Sequence, residues 1–231
     1  MSYVFPPPLP PCVPIHGSLQ LFPVRRIFCV GRNYAAHARE MGVDPEREKP
    51  FFFTKPADAI VTPGMPVPYP MATQNFHHEV ELVVAIGSAG RNVQREDALA
   101  LVWGYGVGND LTRRDLQFEA RDKGRPWDAG KAFDYSAAVS ALHPVSEVGH
   151  LSQGRIWLSV NGKKRQESNI SHLIWPVDEV LVELSKLFEL RPGDLVYTGT
   201  PEGVGPLVSG DLVECGIEGL DTLRHKVTGL V

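Results

Sequence analysis

Apolar positions along this chain alternate more often than they recur at helical spacing. "RRIFCVG" (25–31) reads as a short strand closed by glycine, and "FFFTK" and "AIV", on either side of Pro56, read as two more. "EVELVVAIG" (79–87) and "LVWGYGVGND" (101–110) are the most apolar strand segments. "GRIWLSVNGKKRQESN" predicts a hairpin about an Asn161–Gly162 turn. Helical spacing is confined to four stretches. "NYAAHAREMG" has Asn33 as expected N-cap and Gly42 as stop, and "VQREDALALV" sets Ala98, Leu99 and Val102 on one side. "LTRRDLQFEARDKG" is polar, and "PVDEVLVELSKLFELRPGD" is expected to be capped near Asp178 and ended by Pro192–Gly193. Strands dominate, helices are few and dispersed, and no βαβ alternation is present. The pattern predicts a β-rich α+β protein.

The first 14 residues are proline-rich and read as an extended arm, giving an expected division into residues 1–24 and one domain over 25–231. A formal net charge of −4 argues against a nucleic-acid partner. No apolar run approaches the roughly 20 residues needed to cross a membrane. The N-terminus lacks the charged and apolar regions of a signal peptide. Three widely spaced cysteines, Cys12, Cys29 and Cys215, suit reduced thiols, so a cytoplasmic protein is expected.

Two carboxylates interrupt the first apolar strand. Glu79 and Glu81 are two apart, so in a strand they share a face with Val83 and Ala85, with their carboxylates roughly 6–7 Å apart. Either they face solvent on an edge, or something positive lies between them. Asp110 ends the strand whose glycines 104, 106 and 108 leave one face bare for a close backbone or a ligand. Brought together, these three hard oxygen donors suit Mg²⁺, Mn²⁺ or Ca²⁺. His77 and His78 point opposite ways in a strand and do not suggest zinc. His37 and Glu40, at i and i+3, form either a surface pair or an oriented base. Lys131 in "WDAGKAFD" is either solvated or aimed at an anion, and "TGTPEGVGP" is either a loop or a carboxylate cradle with Thr200 in it.

Six ordered segments carry a resemblance: "GRNYAAHAREMG", "FFFTKPADAI", "HHEVELVVAIG", "GYGVGNDLTRRDLQ", "GRPWDAGKAFD" and "TGTPEGVGP". The chain resembles the fumarylacetoacetate hydrolase family, specifically its small single-domain members that act on acylpyruvates such as fumarylpyruvate. The resemblance implies a mixed β-roll with a few flanking helices and a mobile lid helix, usually as a homodimer. It implies one Mg²⁺ or Mn²⁺ held by Glu79, Glu81 and Asp110, and a lid dyad of His37 and Glu40. Lys131 and Gln117 then face the reacting carbonyl, with Arg114 and Thr200 lining the substrate end. Val30 stands where larger members carry a further aspartate, which argues against a four-carboxylate calcium site.

The implied reaction is metal-dependent hydrolysis of a 2,4-dioxo acid, fumarylpyruvate to fumarate and pyruvate, as in gentisate breakdown. Arg32, Arg121 and Arg125 are equal candidates for reading a distal carboxylate. A general acylpyruvase or oxaloacetate decarboxylase, a 2-oxo acid isomerase, and a non-catalytic metal-binding protein of the same fold are the alternatives.

Overall fold

The computed structural model describes residues 2–40 and 48–229, with backbone alone for 38–40. Its centre is the antiparallel pair Val80–Ile86 and Val102–Asp110, with Glu81 opposite Gly108. Every residue of Val80–Ile86 is buried. Side-chain alternation divides that strand between two hydrophobic clusters. Val80, Leu82, Val84 and Ile86 enter one, and Val83 and Ala85 the other. A strand buried on both faces reads as a continuous apolar run, so the two glutamates stand out in the sequence.

Around this pair an eight-stranded mixed sheet runs Phe51–Lys55, Arg26–Gly31, Asp194–Tyr197, Val80–Ile86, Val102–Asp110, Ala137–Val139 and Ile60–Val61, with His143–Pro144 pairing off the path. Asp194–Tyr197 is parallel to Arg26–Gly31 and antiparallel to Val80–Ile86. A five-stranded sheet, Lys163–Asn169, Arg155–Val160, Leu212–Ile217, Leu223–Thr228 and Val67–Pro68, supplies Ile156, Leu158, Val213 and Leu223 to the larger cluster. A small third sheet joins Thr112–Arg113, Phe76–His78 and Gly205–Pro206. The β-rich α+β class is as the pattern predicts.

Several local expectations change. The helix Ala35–Glu40 is flanked by Tyr34 and not by Asn33, and the Asn33 side chain reaches across the fold. Its amide donates to the Trp175 and Thr198 carbonyls and accepts from the Trp175 N–H. Gly42, the expected stop, lies outside the described residues. The helix Val177–Leu187 starts after Pro176 without a side-chain cap and ends at Leu187, five residues before Pro192. Asp178 sits in its first turn and pairs with Arg95 instead. The Asn161–Gly162 turn is present with positive φ at both residues, 52° and 72°, as a type I′ hairpin needs. Of the segment 1–24, residues 2–10 are exposed, whereas Cys12–Pro14 pairs with Leu21–Pro23. Val13, Phe22 and Val24 are buried in the smaller cluster.

The bare glycine face is filled by protein. A Cβ on Gly104 would lie 2.4 Å from the His143 carbonyl oxygen, and one on Gly108 would lie 2.5 Å from the Tyr197 ring. The period-two glycines admit a neighbouring chain segment, not a ligand.

Candidate metal centre and active site

Glu79 is not in the strand that holds Glu81. It falls at the break between Phe76–His78 and Val80–Ile86, which belong to different sheets. Its N–H donates to Asn109 Oδ1 at 2.8 Å, and its carbonyl accepts from the Asp110 N–H at 2.8 Å. The break turns its side chain toward Glu81 and Asp110. One oxygen from each of the three carboxylates lies within 4.8 Å of the others. All three are buried, at 4%, 2% and 1% exposure, so the solvent-facing alternative fails.

What lies between the carboxylates in this structure is ammonium. Lys131 Nζ donates to Glu79 Oε2 and to Asp110 Oδ2, each at 2.7 Å. Lys55 Nζ stands 2.8 Å from Asp110 Oδ1 and also donates to the Leu111 and Lys131 carbonyls. The guanidinium of Arg114 donates to Glu79 Oε1 and to Gln117 Oε1. Lys131 is buried because Asp128–Lys131 packs hard on Arg114–Asp122. A Cβ on Gly130 would come within 2.7 Å of the Gln117 backbone nitrogen, so only glycine permits that approach.

Electrostatics divides the glutamates. Burial opposes ionisation of Glu79, but Lys131 and Arg114 outweigh it and hold its pKa well below the usual carboxylate range. Burial, then Asp110 and Glu79, push Glu81 well above that range, against the N–H of Gly199 donating to its Oε2 at 2.6 Å. Burial lowers the Lys131 pKa, yet Asp110 and Glu79 leave it raised overall. The "TGTPEGVGP" turn thus cradles a carboxylate, but it is the protein's own Glu81.

These residues fit a hard divalent cation. Three oxygen donors converge, Glu81 is short of positive charge, and Asp110 Oδ1 is buried without an aligned hydrogen bond although Lys55 is near. The Lys131 ammonium occupies the position of positive charge between two of the donors.

The cavity over the triad, ≈ 30 Å³, is walled by His37, Arg114, Gln117, Lys131 and Thr200. A vestibule of ≈ 440 Å³ shares Phe53, Trp127 and Lys131 with it and adds Phe51. His37 is 6% exposed, on the helix Ala35–Glu40. The Glu40 side chain, its expected partner, lies outside the described residues. His77 is half-buried and His78 buried; burial pulls both pKa values down to about 4, leaving neutral rings beside the cations.

Sequence reasoning missed Lys55, Asn109 and Gln166. Lys55 sits in an aromatic strand that gives no hint of a buried ion pair, and Asn109 was overshadowed by its neighbour Asp110. Gln166 is one polar residue among several in a hairpin arm. A second group, His16, His143 and Asp221, also brings ligand atoms within 4.8 Å. The two imidazoles are stacked at 4.1 Å with planes 17° apart, so their lone pairs run side by side and do not converge on one ion. His143 Nε2 already accepts the Asp221 N–H, and His16 Nδ1 is 2.7 Å from Asp221 Oδ2.

Residues 26–228 match the fumarylacetoacetate hydrolase C-terminal family model. A fumarylpyruvate hydrolase from Ralstonia sp. is 48% identical over 185 residues, covering 80% of this chain and 96% of that protein. The mitochondrial oxaloacetate tautomerase of Mus musculus is 42% identical over 203 residues, 88% of this chain and 91% of its own. A crystal structure of fumarylpyruvate hydrolase from Pseudomonas aeruginosa, in complex with Mn²⁺ and pyruvate, is 55% identical and covers 100% of both chains, with a TM-score of 0.97. This chain belongs to the fumarylacetoacetate hydrolase family.

Proposed function

We propose that this chain is a divalent-cation-dependent carbon–carbon hydrolase of acylpyruvates, with fumarylpyruvate as substrate and fumarate and pyruvate as products. The observation that carries the reading is one cavity that joins the Glu79–Glu81–Asp110 triad to His37, Gln117, Lys131 and Thr200. The relatives named fumarylpyruvate hydrolase, at 48% and 55% identity, support the substrate. The Mn²⁺ and pyruvate in the Pseudomonas aeruginosa structure support a Mn²⁺ or Mg²⁺ site that takes a 2-oxo acid.

Glu79, Glu81 and Asp110 would hold the ion. When bound, it supplies Lewis-acid charge stabilisation to the departing 2-oxo-acid fragment. His37 takes a proton from the attacking water, whose oxygen bonds to C4 of the substrate. Lys131 and Gln117 donate to the oxyanion that forms there. The C3–C4 bond then breaks, its electron pair passes to the pyruvate carbons, and a proton returned to C3 completes pyruvate. Thr200 holds the carboxylate of that fragment, and Arg114 holds Glu79 and Gln117 through one guanidinium. Glu40 completes the dyad by family resemblance.

Of the three arginines considered for a distal carboxylate, Arg125 is absent from the cavity walls. Arg121 is on the wall but pairs with Asp122 at 2.9 Å and stacks over Phe118 at 4.5 Å. Arg32 is on the wall, lies 5.5 Å over the Phe51 ring and has no carboxylate partner among the described residues. Its φ of 58° is a left-handed conformation costing roughly 1 kcal/mol, which suits a side chain aimed at a ligand. We assign the distal carboxylate to Arg32. A homodimer in the cytoplasm belongs to the same reading, supported by exposed Leu19 and Leu21 and by three free cysteines.

The test follows loss of dioxo-acid absorbance with fumarylpyruvate and acetylpyruvate, before and after chelation. Turnover that stops with EDTA and returns with Mn²⁺ supports the reading; full activity after exhaustive dialysis against EDTA overturns it. Oxaloacetate chemistry is the second reading, favoured by the relative at 42% identity. His37→Ala discriminates, because decarboxylation needs no attacking water and hydrolysis does.

A further inference from the structure

Gln166 is the one buried residue of Lys163–Asn169, a strand of the five-stranded sheet. It reaches across to the candidate site with every polar position of its amide engaged, at 1% exposure. Its Oε1 is 3.1 Å from the Val80 N–H and 3.0 Å from His78 Nδ1. Its Nε2 is 2.9 Å from Thr200 Oγ1 and 2.8 Å from the Pro201 carbonyl.

The two backbone partners determine which end is which. The Val80 N–H can only donate, so the atom facing it is oxygen; the Pro201 carbonyl can only accept, so the atom facing it is nitrogen. The side-chain partners then have no choice. His78 carries its proton on Nδ1, and Thr200 Oγ1 accepts the second Nε2 proton. A hydroxyl oxygen that accepts from an amide keeps its own proton for another acceptor. Among the described residues no protein group takes that proton, and Thr200 lines the cavity over the carboxylate triad.

We propose that Gln166 is a positioning residue that makes Thr200 a dedicated hydrogen-bond donor to the carboxylate of a 2-oxo acid. It also ties the Thr200 turn to the backbone between Glu79 and Glu81, so donor and cation ligands keep a fixed spacing. The proposal rests on the reading of Thr200 as the carboxylate-binding end of the site. Replacing the amide by the isosteric carboxylate inverts the bond: Gln166→Glu takes the Thr200 proton and sets an acceptor against the Pro201 carbonyl.

The experiment is a double-mutant cycle on pyruvate binding, by calorimetry with Mn²⁺ present, alongside kcat and KM for an acylpyruvate. Gln166→Glu is expected to weaken pyruvate binding and raise KM about tenfold or more, the scale of one hydrogen bond to a charged group. Thr200→Val is expected to weaken binding similarly, and Thr200→Ser to restore it. The deciding result is the double variant: with the hydroxyl already gone, Gln166→Glu should add less than threefold. Additive losses, or a Gln166→Glu protein with unchanged pyruvate affinity, overturn the proposal. If Gln166→Glu does not fold, Gln166→Met completes the same cycle. Wild-type protein that binds pyruvate with this Thr200 dependence but cleaves no acylpyruvate would defeat the proposed reaction and leave this inference standing.

Discussion

The Lys131 ammonium lies 2.7 Å from Asp110 Oδ2, and the same nitrogen is 2.7 Å from Glu79 Oε2. One lysine therefore pairs with two of the three carboxylates that would hold a cation, offsetting one of their charges. A cation held by the triad would draw on the same carboxylates that bind this ammonium, beside the cavity where the reacting carbonyl is expected.

Lys131→Met keeps the volume and removes the charge. Turnover of an acylpyruvate should fall about 100-fold or more, as for loss of an oxyanion donor. Mn²⁺ affinity should rise, by about tenfold or ~1.4 kcal/mol, since the carboxylates lose their internal counter-ion. Titration calorimetry checks the second effect. Weaker Mn²⁺ binding in the variant would show that the lysine supports the site and does not compete for it.

Gly130→Ala drives a methyl group into the Gln117 backbone. Overpacking of this kind costs about 1–3 kcal/mol, visible as a lower midpoint in urea. The larger effect should be on kcat, because the two helices carrying Gln117 and Lys131 must separate. A variant with wild-type kcat and reduced stability would mean the two donors are not needed in register.

Arg32→Met should erase discrimination between substrates. The ratio of kcat/KM for fumarylpyruvate over acetylpyruvate should fall roughly 10- to 100-fold, the loss of one charge-assisted contact. An unchanged ratio in Arg32→Met, with a reduced one in Arg121→Met, would move the distal carboxylate to Arg121.

Burial lowers the His225 pKa from 6.5 to about 4, and its Nε2 accepts from Asn109 Nδ2 at 2.9 Å. Between pH 4 and 6.5 the unfolded chain binds a proton here that the folded chain refuses, so stability rises with pH across that window. At pH 5 the cost is about 2 kcal/mol, from 1.5 pH units at 1.36 kcal/mol each. His225→Gln should flatten the pH dependence of urea unfolding between pH 5 and 7 by about that amount. An equal slope in both proteins would mean that His225 is not buried neutral.

Much of the site was legible in the sequence. Glu79 and Glu81 are conspicuous in a run of sequence otherwise apolar, and Asp110 ends the strand that pairs with Val80–Ile86. The distance between the two glutamates was not legible, because regular strand geometry cannot anticipate the break at Glu79 that sends its side chain to the others. The glycines of Val102–Asp110 marked a close approach, but not that the Tyr197 ring and the His143 backbone fill it. Asn33 matched a cap by type, yet the helix begins at Ala35 and the buried amide meets three backbone partners across the fold.

The sequence by itself determined the strand-rich class, the hairpin at Asn161–Gly162 and the acidic residues of the candidate centre, since alternation, turn chemistry and misplaced charge act over a few residues. Tertiary structure decided what surrounds those acids: Lys131 between Glu79 and Asp110, Lys55 against Asp110, Gln166 and Asn109 behind them, Arg32 on the cavity wall. Lys131 comes from 21 residues beyond Asp110, Lys55 from 55 residues before it, and Gln166 from 86 residues beyond Val80. Their roles depend on low-dielectric burial and on which donor meets which acceptor, and neither exists until the sheets close.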